Sequence, residues 1–494
     1  MSSKVAARHN IPEFEELAAQ WEKLRRRIAP KRDGMWSRGT ARPRTKVDQG
    51  WKLHLSATLL TAGDLLQRCG GILLRSGLPF KIAATLVEVR KLNSAFHYGR
   101  SQVGKVITVY VPDAVQAKRL AEKLHRKIGE LPCPEVPSDR RYKPNSNVFY
   151  RYGSYTERKM LQDGKMIPAY LDPAGRLVPD KRTSSSAVPD WVEDPFKDTS
   201  RSAPKRGRVS AARPARYRAV AAIQWRGAGG VYRALDVTVE PPATCIMKEG
   251  LRHGNPAFDG VDGFDTVRNE ARVLTALKKH NIRVPGVRSL FYQNGNSYLV
   301  QDFIDGKTLA DAVDSGRLSL REKLEIAVQL CQIVASMHAA GWVWRDIKMT
   351  NLIYDGRTLW AIDLEFGMRI ASSEPRSFRG TSGYFLEAPE PITGREALMV
   401  DRYALGVSLQ RLFGNASEKQ KRYHHRAPAM PALLDPELGK LIKSLRHRQP
   451  EMRPTAAEAL EVVKQSLPRR GGNRPPVSRP SRSTPASLAP LAFN

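Results

Sequence analysis

Hydrophobic and polar positions follow two different periods in the first two hundred residues. Residues 50–58 (GWKLHLSAT) and 105–111 (KVITVYV) alternate as half-buried strands do. Residues 59–74 and 113–128 repeat apolar side chains at helical spacing, and a helical stretch also runs from Pro12 to Arg27. The pattern predicts an α+β domain in this half of the chain.

A second pattern starts near residue 217, with strands first and helices later. Segments rich in Arg, Pro and Ser flank it and have little to bury. The predicted organisation is a basic N-terminal segment (1–46), an α+β domain (47–198), a basic linker (199–216), a second domain (217–467, with a first lobe at 217–302 and a second at 303–467) and a disordered tail (468–494).

Composition narrows the class of protein. The 494 residues include 81 Lys plus Arg against 49 Asp plus Glu, a formal charge of +32, and 41% are hydrophobic, which is enough for real cores. Nucleic acid is an unlikely partner, because no zinc finger or aromatic-studded RNA motif accompanies the basic segments. No apolar run reaches membrane-spanning length and no signal core begins the sequence, so we expect a cytoplasmic protein without a membrane partner.

The second domain begins with a glycine-rich motif, RGAGGVYRA, which contains Gly227, Gly229 and Gly230. Such a loop lets backbone N–H groups close over ATP phosphates without a Cβ in the way. The following strand-like run ATCIMK ends at Lys248, which is placed to reach the phosphates, and Glu270 in a helical stretch could pair with it.

Two further motifs point to phosphoryl transfer, WRDIKMTNLIY and WAIDLEFG. The reaction needs a carboxylate that accepts the proton of the attacking hydroxyl, and Asp346 suits that role. It also needs oxygen ligands for Mg²⁺, which Asn351 and Asp363 can supply. Lys348 can neutralise charge that develops on the transferred group.

In this order, the motifs resemble the protein kinase family across the second domain. The resemblance implies a bilobal fold that binds ATP and Mg²⁺, with adenine near Gln301 and Phe303. Trp344 stands in place of the usual catalytic-loop histidine, and Leu364 and Glu365 replace the Phe-Gly pair after the metal-binding Asp. All acidic roles remain filled, so an active kinase is expected rather than a pseudokinase.

The first domain carries a second set of candidate residues. Lys52 and His54 are two apart in a predicted strand and therefore share one face, and Lys81 follows a predicted helix. Alone, any one of them would be read as an exposed side chain. Further basic and phenolic residues follow along the chain: Arg100, Lys105, Tyr110, Arg140, Arg141, Tyr150 and Arg151.

Together with GRLVPDKR and PDWVEDPF, these stretches resemble the N-terminal lyase domain of class III lanthipeptide synthetases, a relative of phosphothreonine lyases. The resemblance implies that Lys81 is the general base, that His54 is the general acid to the leaving phosphate, and that Lys52 polarises the substrate carbonyl. Clustered cations would lower the pKa of a lysine and make a neutral amine available. Candidates for holding the phosphate are Arg100, Arg140 and Arg151, with Arg141 as an alternative to Arg140 and with Lys105, Tyr110 and Tyr150 assisting.

A kinase and a lyase in one chain would act together as a peptide dehydratase. The resemblance implies a ribosomal precursor peptide as substrate, with Ser and Thr converted to dehydroalanine and dehydrobutyrine. Because the sequence ends soon after the kinase-like motifs, we expect thioether rings to be made by a separate cyclase partner or not at all. Two alternatives remain: a regulatory Ser/Thr kinase with an N-terminal partner-binding domain, and a nucleic-acid-binding scaffold with an inactive kinase domain.

Overall fold

The computed structural model describes residues 14–39, 48–185, 187–197, 216–386, 391–414 and 435–467. Three predicted segments fall largely outside the described residues: the start of the N-terminal segment, the linker up to residue 215 and the tail from residue 468.

An antiparallel sheet forms the centre of the N-terminal domain. Its strands are β1 (Lys31–Asp33), β2 (Trp36–Arg38), β3 (Gln49–Leu55), β4 (Phe80–Ala83), β5 (Ile107–Val111), β6 (Arg140–Arg141) and β7 (Val148–Ser154). Their spatial order is β1-β2-β4-β5-β3-β7-β6. The central strand β3 therefore has β5 on one side and β7 on the other, although neither is its neighbour in sequence.

Helices cover one face of this sheet: α1 (Phe14–Ile28), α2 (Ala62–Arg75), α3 (Leu86–Ser94) and α4 (Ala114–Ile128). The core between them contains Trp21 of α1 and Leu53 of β3, both completely buried. The predicted α+β class is confirmed, but the predicted start of the domain at residue 47 is too late. The reason is that α1 buries Trp21 in the core and that β1 and β2 extend the sheet.

A second, smaller sheet follows the first. It consists of β8 (Lys159–Gln162), β9 (Lys165–Leu171) and β10 (Leu177–Pro179), in the order β10-β9-β8. Its last strand ends directly before Asp180, and this connection places Asp180 and Arg182 beside the large sheet, as described below.

The second domain has the two lobes that the sequence predicts. The first lobe is an antiparallel sheet with the order β11-β12-β13-β15-β14, and one helix packs on it. The bounds are β11 (Tyr217–Arg226), β12 (Gly229–Asp236), β13 (Ala243–Gly250), β14 (Val287–Gln293), β15 (Asn296–Asp302) and helix α5 (Gly263–Lys279).

The second lobe is mainly helical. It contains α6 (Leu309–Asp314), α7 (Leu320–Ala339), α8 (Gly394–Phe413), α9 (Pro436–Leu445) and α10 (Ala456–Gln465). One short strand, β16 (Lys307–Thr308), comes directly before α6. Four more lie between α7 and α8: β17 (Trp342–Val343), β18 (Leu352–Tyr354), β19 (Leu359–Ala361) and β20 (Met368–Arg369). Within the described ranges, no helix has the length and apolar character needed to cross a bilayer.

Candidate active sites

The register of the large sheet brings the first set of candidate residues together. Lys52 on β3 lies opposite Tyr110 on β5 and Arg151 on β7, and His54 lies opposite Thr108. Since alternate residues of a strand point to the same face, these five side chains share the face away from the helices. The sequence prediction that Lys52 and His54 share a face agrees with this register.

These side chains surround a cavity of about 130 Å³. The cavity is smaller than the roughly 300–1,000 Å³ of ordinary small-molecule pockets, so it suits one side chain or a small anion. Its lining residues are Lys52, His54, Lys81, Gln102, Lys105, Thr108, Tyr110, Arg151, Asp180 and Arg182. Basic groups outnumber the single carboxylate, and this excess favours an anionic ligand.

Burial and mutual repulsion lower the pKa values of the three lysines. Burial, followed by Arg151 and Lys105, lowers the pKa of Lys52 to about 7. Burial, followed by Arg38 and Lys105, lowers the pKa of Lys81 to about 8, and burial lowers the pKa of Lys105 to about 8. A neutral lysine amine is therefore accessible near neutral pH, as a general base requires.

A buried carboxylate orients His54. The His54 Nδ1 atom is hydrogen-bonded to Asp139, which also lies 3.2 Å from the Lys105 ammonium. Burial lowers the pKa of His54 to about 3, whereas His54 and Lys105, against the effect of burial, lower the pKa of Asp139. The His54 imidazole is thus neutral, its Nδ1–H is donated to Asp139 and its Nε2 atom carries a lone pair.

Sequence reasoning did not identify Asp139, Asp180 or Arg182. Asp139 stands in the SDRRY stretch, where attention fell on the two arginines, and the other two stand in GRLVPDKR. Arg151 is buried and donates to Asp180, and the Arg182 Nε atom lies 3.5 Å from the same carboxylate. This ion-pair chain holds Arg151 against the cavity.

Arg140 and Arg141 do not line the cavity. The Arg140 Nη1 atom donates to Asp194 at 2.9 Å, and the Arg141 Nη2 atom donates to Glu135 at 2.6 Å. Both arginines are on the edge strand β6, which is separated from β3 by β7. Their expected role in binding phosphate is therefore not supported by their positions.

Tyr150 and Arg100 are also elsewhere. Tyr150 precedes Arg151 on β7 and therefore faces the core, where its ring centroid lies 4.2 Å from that of Phe196. Arg100 is exposed, and its guanidinium lies 4.5 Å from the ring centroid of Trp225 in the second domain. Tyr150 is absent from the cavity because side chains alternate along the strand, and Arg100 is absent because it contacts the second domain.

On the hypothesis that Arg151 binds the phosphate of a phosphothreonine peptide, Arg151→Gln should raise the KM for that peptide about tenfold or more, because charged hydrogen bonds would be lost. Arg140→Gln is the matched control and should leave this KM unchanged, since Arg140 is paired with Asp194 outside the cavity. Steady-state elimination assays, with circular dichroism to confirm folding, measure both values. A raised KM for Arg140→Gln with an unchanged KM for Arg151→Gln would instead indicate that Arg140 binds the phosphate.

The second site lies between the lobes of the second domain. The Lys248 Nζ atom is 2.7 Å from both carboxylate oxygens of Glu270 and 2.7 Å from Asp363 Oδ1. Burial opposes the charged form, but the Asp363 and Glu270 carboxylates raise the pKa of Lys248. The predicted pairing of Lys248 with Glu270 is present, and it holds a charged ammonium beside Asp363.

Asp346 is surrounded by hydrogen-bond donors. The Lys348 Nζ atom lies 2.6 Å from Asp346 Oδ2, and the Asn351 amide donates to the same oxygen at 3.1 Å. The Thr381 hydroxyl donates to Asp346 Oδ1 at 2.7 Å. Thr381, which the sequence analysis did not place beside Asp346, shows that a hydroxyl group can reach this carboxylate.

Trp344 has a structural role that accounts for its replacing a histidine. Its indole N–H donates to the backbone carbonyl of Asp363 at 3.2 Å, and its backbone N–H donates to Asp401 at 2.7 Å. Asp363 has a φ of 62°, a conformation that costs energy for a residue other than glycine. The Trp344 indole thus helps to hold the strained Asp363 backbone in place.

Oxygen atoms suited to Mg²⁺ converge in this cleft. The Asn351 side chain uses its amide N–H on Asp346, which leaves its Oδ1 atom for a cation, and Asp363 uses Oδ1 for Lys248. Burial and the nearby Asp363 raise the pKa of Glu365, which lines the cleft, to about 8. Carboxylate and amide oxygens of this kind fit a hard divalent cation.

The whole cleft has a volume of about 1270 Å³, enough for a nucleotide and part of a second substrate. Gln301 and Phe303 line it, as predicted for an adenine site, and so do Arg226 and Val231 on either side of the glycines. The Gly227 N–H already donates to the Ser94 carbonyl of the first domain at 3.0 Å. Gly227 is therefore a contact between domains, whereas the prediction placed it over the phosphates.

Comparison with known families agrees with both halves of this description. The model for the RamC N-terminal domain matches residues 16–208, and the protein kinase domain model matches residues 229–463. The chain is therefore similar to a RamC N-terminal domain over its first part and to a protein kinase domain over its second, in agreement with the expected resemblance to class III lanthipeptide synthetases.

Among individual relatives, a probable SapB synthase of Streptomyces coelicolor is 29% identical over 372 residues, which is 72% of this chain and 39% of the relative. The Ser/Thr protein kinase PknA of Mycobacterium tuberculosis is 29% identical over 310 residues, which is 57% of this chain and 67% of that kinase. A probable Ser/Thr protein kinase, PknA2 of Bifidobacterium longum, is 28% identical over 51% of this chain and 36% of its own length. The chain thus spans well under half of the SapB synthase that it matches.

Proposed function

We propose that this protein is a cytoplasmic peptide dehydratase of the lanthipeptide type. Its kinase domain phosphorylates Ser or Thr of a ribosomal precursor peptide, and its N-terminal domain eliminates the phosphate. The observation that carries the proposal is the cavity around Lys52, His54 and Lys81, a buried cationic site sized for one phosphorylated side chain in the same chain as an assembled kinase cleft.

In the kinase cleft, Asp346 accepts the proton of the peptide hydroxyl while Lys348 offsets negative charge on the transferred phosphoryl group. Lys248, held by Glu270, binds the ATP phosphates. Asn351 and Asp363 would hold Mg²⁺, which supplies charge neutralisation between the phosphates. Gln301 and Phe303 contact the adenine.

In the N-terminal cavity, the neutral Lys81 amine takes the Cα proton of the phosphorylated residue. The electron pair of that C–H bond forms the Cα=Cβ double bond as the Cβ–O bond breaks, and phosphate leaves with a proton from His54. Lys52 donates a hydrogen bond to the substrate carbonyl, where negative charge develops. Arg151 and Lys105 bind the phosphate, and Tyr110 borders it.

His54 can act as an acid only when the substrate is present. Burial and the nearby lysines lower its pKa to about 3 and so favour the neutral imidazole. A phosphate dianion that enters beside its Nε2 atom favours the imidazolium form and raises this pKa. The negative charge of the substrate phosphate thus keeps His54 protonated, and His54 can then donate its proton to that phosphate as it leaves.

The proposal is tested with a chemically synthesised phosphothreonine peptide of the cognate precursor and the full-length protein without ATP. We expect loss of phosphate and formation of a dehydrobutyrine residue, followed by mass spectrometry. An unchanged phosphopeptide would contradict the dehydratase and favour a regulatory Ser/Thr kinase.

Because the bound phosphate keeps His54 protonated, the kcat of this elimination should rise with pH between about 6 and 8. Lys81 must be neutral to accept a proton, and its pKa is about 8, so the reactive fraction grows as pH increases toward that value. A kcat that did not rise across this interval would contradict a neutral Lys81 base acting together with a protonated His54.

Ring formation by cysteine addition belongs to neither of the two sites. We therefore propose that thioether rings are made by a separate cyclase partner or are not made at all. Reaction of the precursor with the protein, ATP and Mg²⁺ should give dehydrated peptide whose cysteines still react with an alkylating reagent.

A further inference from the structure

The N-terminal domain forms one wall of the kinase cleft. Leu59, Arg90, Lys91, Ser94 and His97 line the same cavity as Lys248, Asp346 and Asp363. Most of these residues belong to α3 or to the segment directly after it. The cleft in which a peptide must meet ATP is therefore built from both domains.

Backbone contacts hold this wall close to the glycine-rich turn. The Gly227 N–H donates to the Ser94 carbonyl at 3.0 Å, and a Cβ on Gly227 would lie 1.6 Å from the Asn93 carbonyl oxygen. Arg100, six residues after Ser94, stacks on Trp225 with 4.5 Å between its guanidinium and the ring centroid. Close packing of this kind requires glycine at position 227.

Charge is divided unequally between the two sides of the cleft. Every acidic residue among those that line it comes from the kinase domain (Asp302, Asp346, Asp363 and Glu365), which also contributes the basic residues Arg226, Lys248, Lys348 and Arg379. The N-terminal domain contributes the basic side chains of Arg90 and Lys91 together with His97. Arg90 and His97 are exposed, and Lys91 is half-buried with an ion pair to Glu88 at 2.9 Å.

From this arrangement we propose that Arg90 and Lys91 select peptides that carry an anionic side chain next to the acceptor Ser or Thr. The nucleotide and cation are accounted for by Lys248, Asn351 and Asp363, so the α3 wall is left for the peptide. The anionic group is a carboxylate or a phosphate monoester already placed on a neighbouring residue, since both match the charge of the wall. This inference rests on the proposed function and names the class of substrate for its kinase step.

The test compares three peptides that share one acceptor Thr and differ at a flanking residue, which is Gln, Glu or phosphoserine. Initial rates of ADP release are measured with Lys81→Ala protein, so that elimination does not remove the flanking phosphate. We expect a lower KM for the Glu peptide, the phosphoserine peptide or both than for the Gln peptide. Which of the two is favoured identifies the source of the anionic group.

Adding Arg90→Gln and Lys91→Gln should raise the KM for the favoured peptide about fivefold, as expected for two partly exposed charges, and leave the Gln peptide nearly unchanged. Arg119→Gln with Lys123→Gln is the matched control, because both residues lie on α4 beside a different groove. The inference is overturned if all three peptides change equally or if none changes. The rate with the Gln peptide also shows whether each variant is folded and still uses ATP.

Failure here is distinguishable from failure of the proposed function. Elimination from a phosphothreonine peptide, measured with Lys81 intact, should persist in the Arg90→Gln, Lys91→Gln protein, because neither residue lines the cavity around Lys52. Loss of charge selection with normal elimination overturns this inference alone. Charge selection without any elimination overturns the lyase half of the function alone.

Discussion

Lys81→Ala should change the product of the full reaction from dehydrated peptide to stable phosphopeptide. Lys81 lies in the cationic cavity, where its Nζ atom is 4.0 Å from the ring centroid of Trp36 and its pKa is about 8. Without the Lys81 amine, no basic group remains at that position to take the Cα proton. The elimination rate should therefore fall by about 10²–10⁴-fold. Phosphorylation should continue, so mass spectrometry should find peptides that have gained phosphate.

Two further variants test whether the loss of elimination is specific to Lys81. Lys118→Ala on the exposed side of α4 is the control and should give normal dehydration. Lys52→Ala tests the other candidate base, because the Lys52 pKa is about 7. If Lys81→Ala still dehydrated the peptide while Lys52→Ala accumulated phosphopeptide, the base would be Lys52 and the roles of the two lysines would be exchanged.

Asp346→Asn should nearly abolish phosphorylation. An amide cannot accept the proton of the substrate hydroxyl, so we expect about a 10²–10⁴-fold loss in the rate of ADP release with peptide. The same variant should still eliminate phosphate from a synthetic phosphothreonine peptide, because Asp346 is in the other site. The opposite effects of Lys81→Ala and Asp346→Asn would separate the two half-reactions.

Asp314→Asn, an exposed carboxylate at the end of α6, is the control for Asp346→Asn and should leave both half-reactions unchanged. Retained phosphorylation in the Asp346→Asn protein would mean that another group accepts the proton. Loss of both half-reactions would indicate that the two sites depend on each other more closely than their separate linings imply.

The periodic patterns in the sequence were sufficient for the fold class and for much of the local structure. The alternating segment around Lys52 is strand β3, and the apolar repeat at 113–128 is helix α4. These predictions succeed because backbone alternation and helical spacing are local properties. The boundary at residue 47 was wrong because α1 is joined to the sheet by long-range packing of Trp21, which no local pattern reveals.

The order of the kinase motifs likewise indicated which residues meet in the cleft. Lys248 pairs with Glu270 although the two are 22 residues apart, as the motifs predicted. The role of Trp344 could not be predicted in this way. Its indole replaces a histidine by donating to the Asp363 carbonyl, a contact that depends on the fold of the whole second lobe.

The amino-acid sequence by itself determined the two-domain class, the face shared by Lys52 and His54, and the set of basic residues from which a phosphate site could be built. Only the tertiary structure decided which members of that set line the cavity. It includes Arg151 and Lys105, excludes Arg140 and Tyr150, and adds Asp139 behind His54. The reason is that side-chain direction along a strand is set locally, whereas the neighbours of that strand, and the carboxylates that pair with its cations, are set by the order of strands and the packing of distant segments.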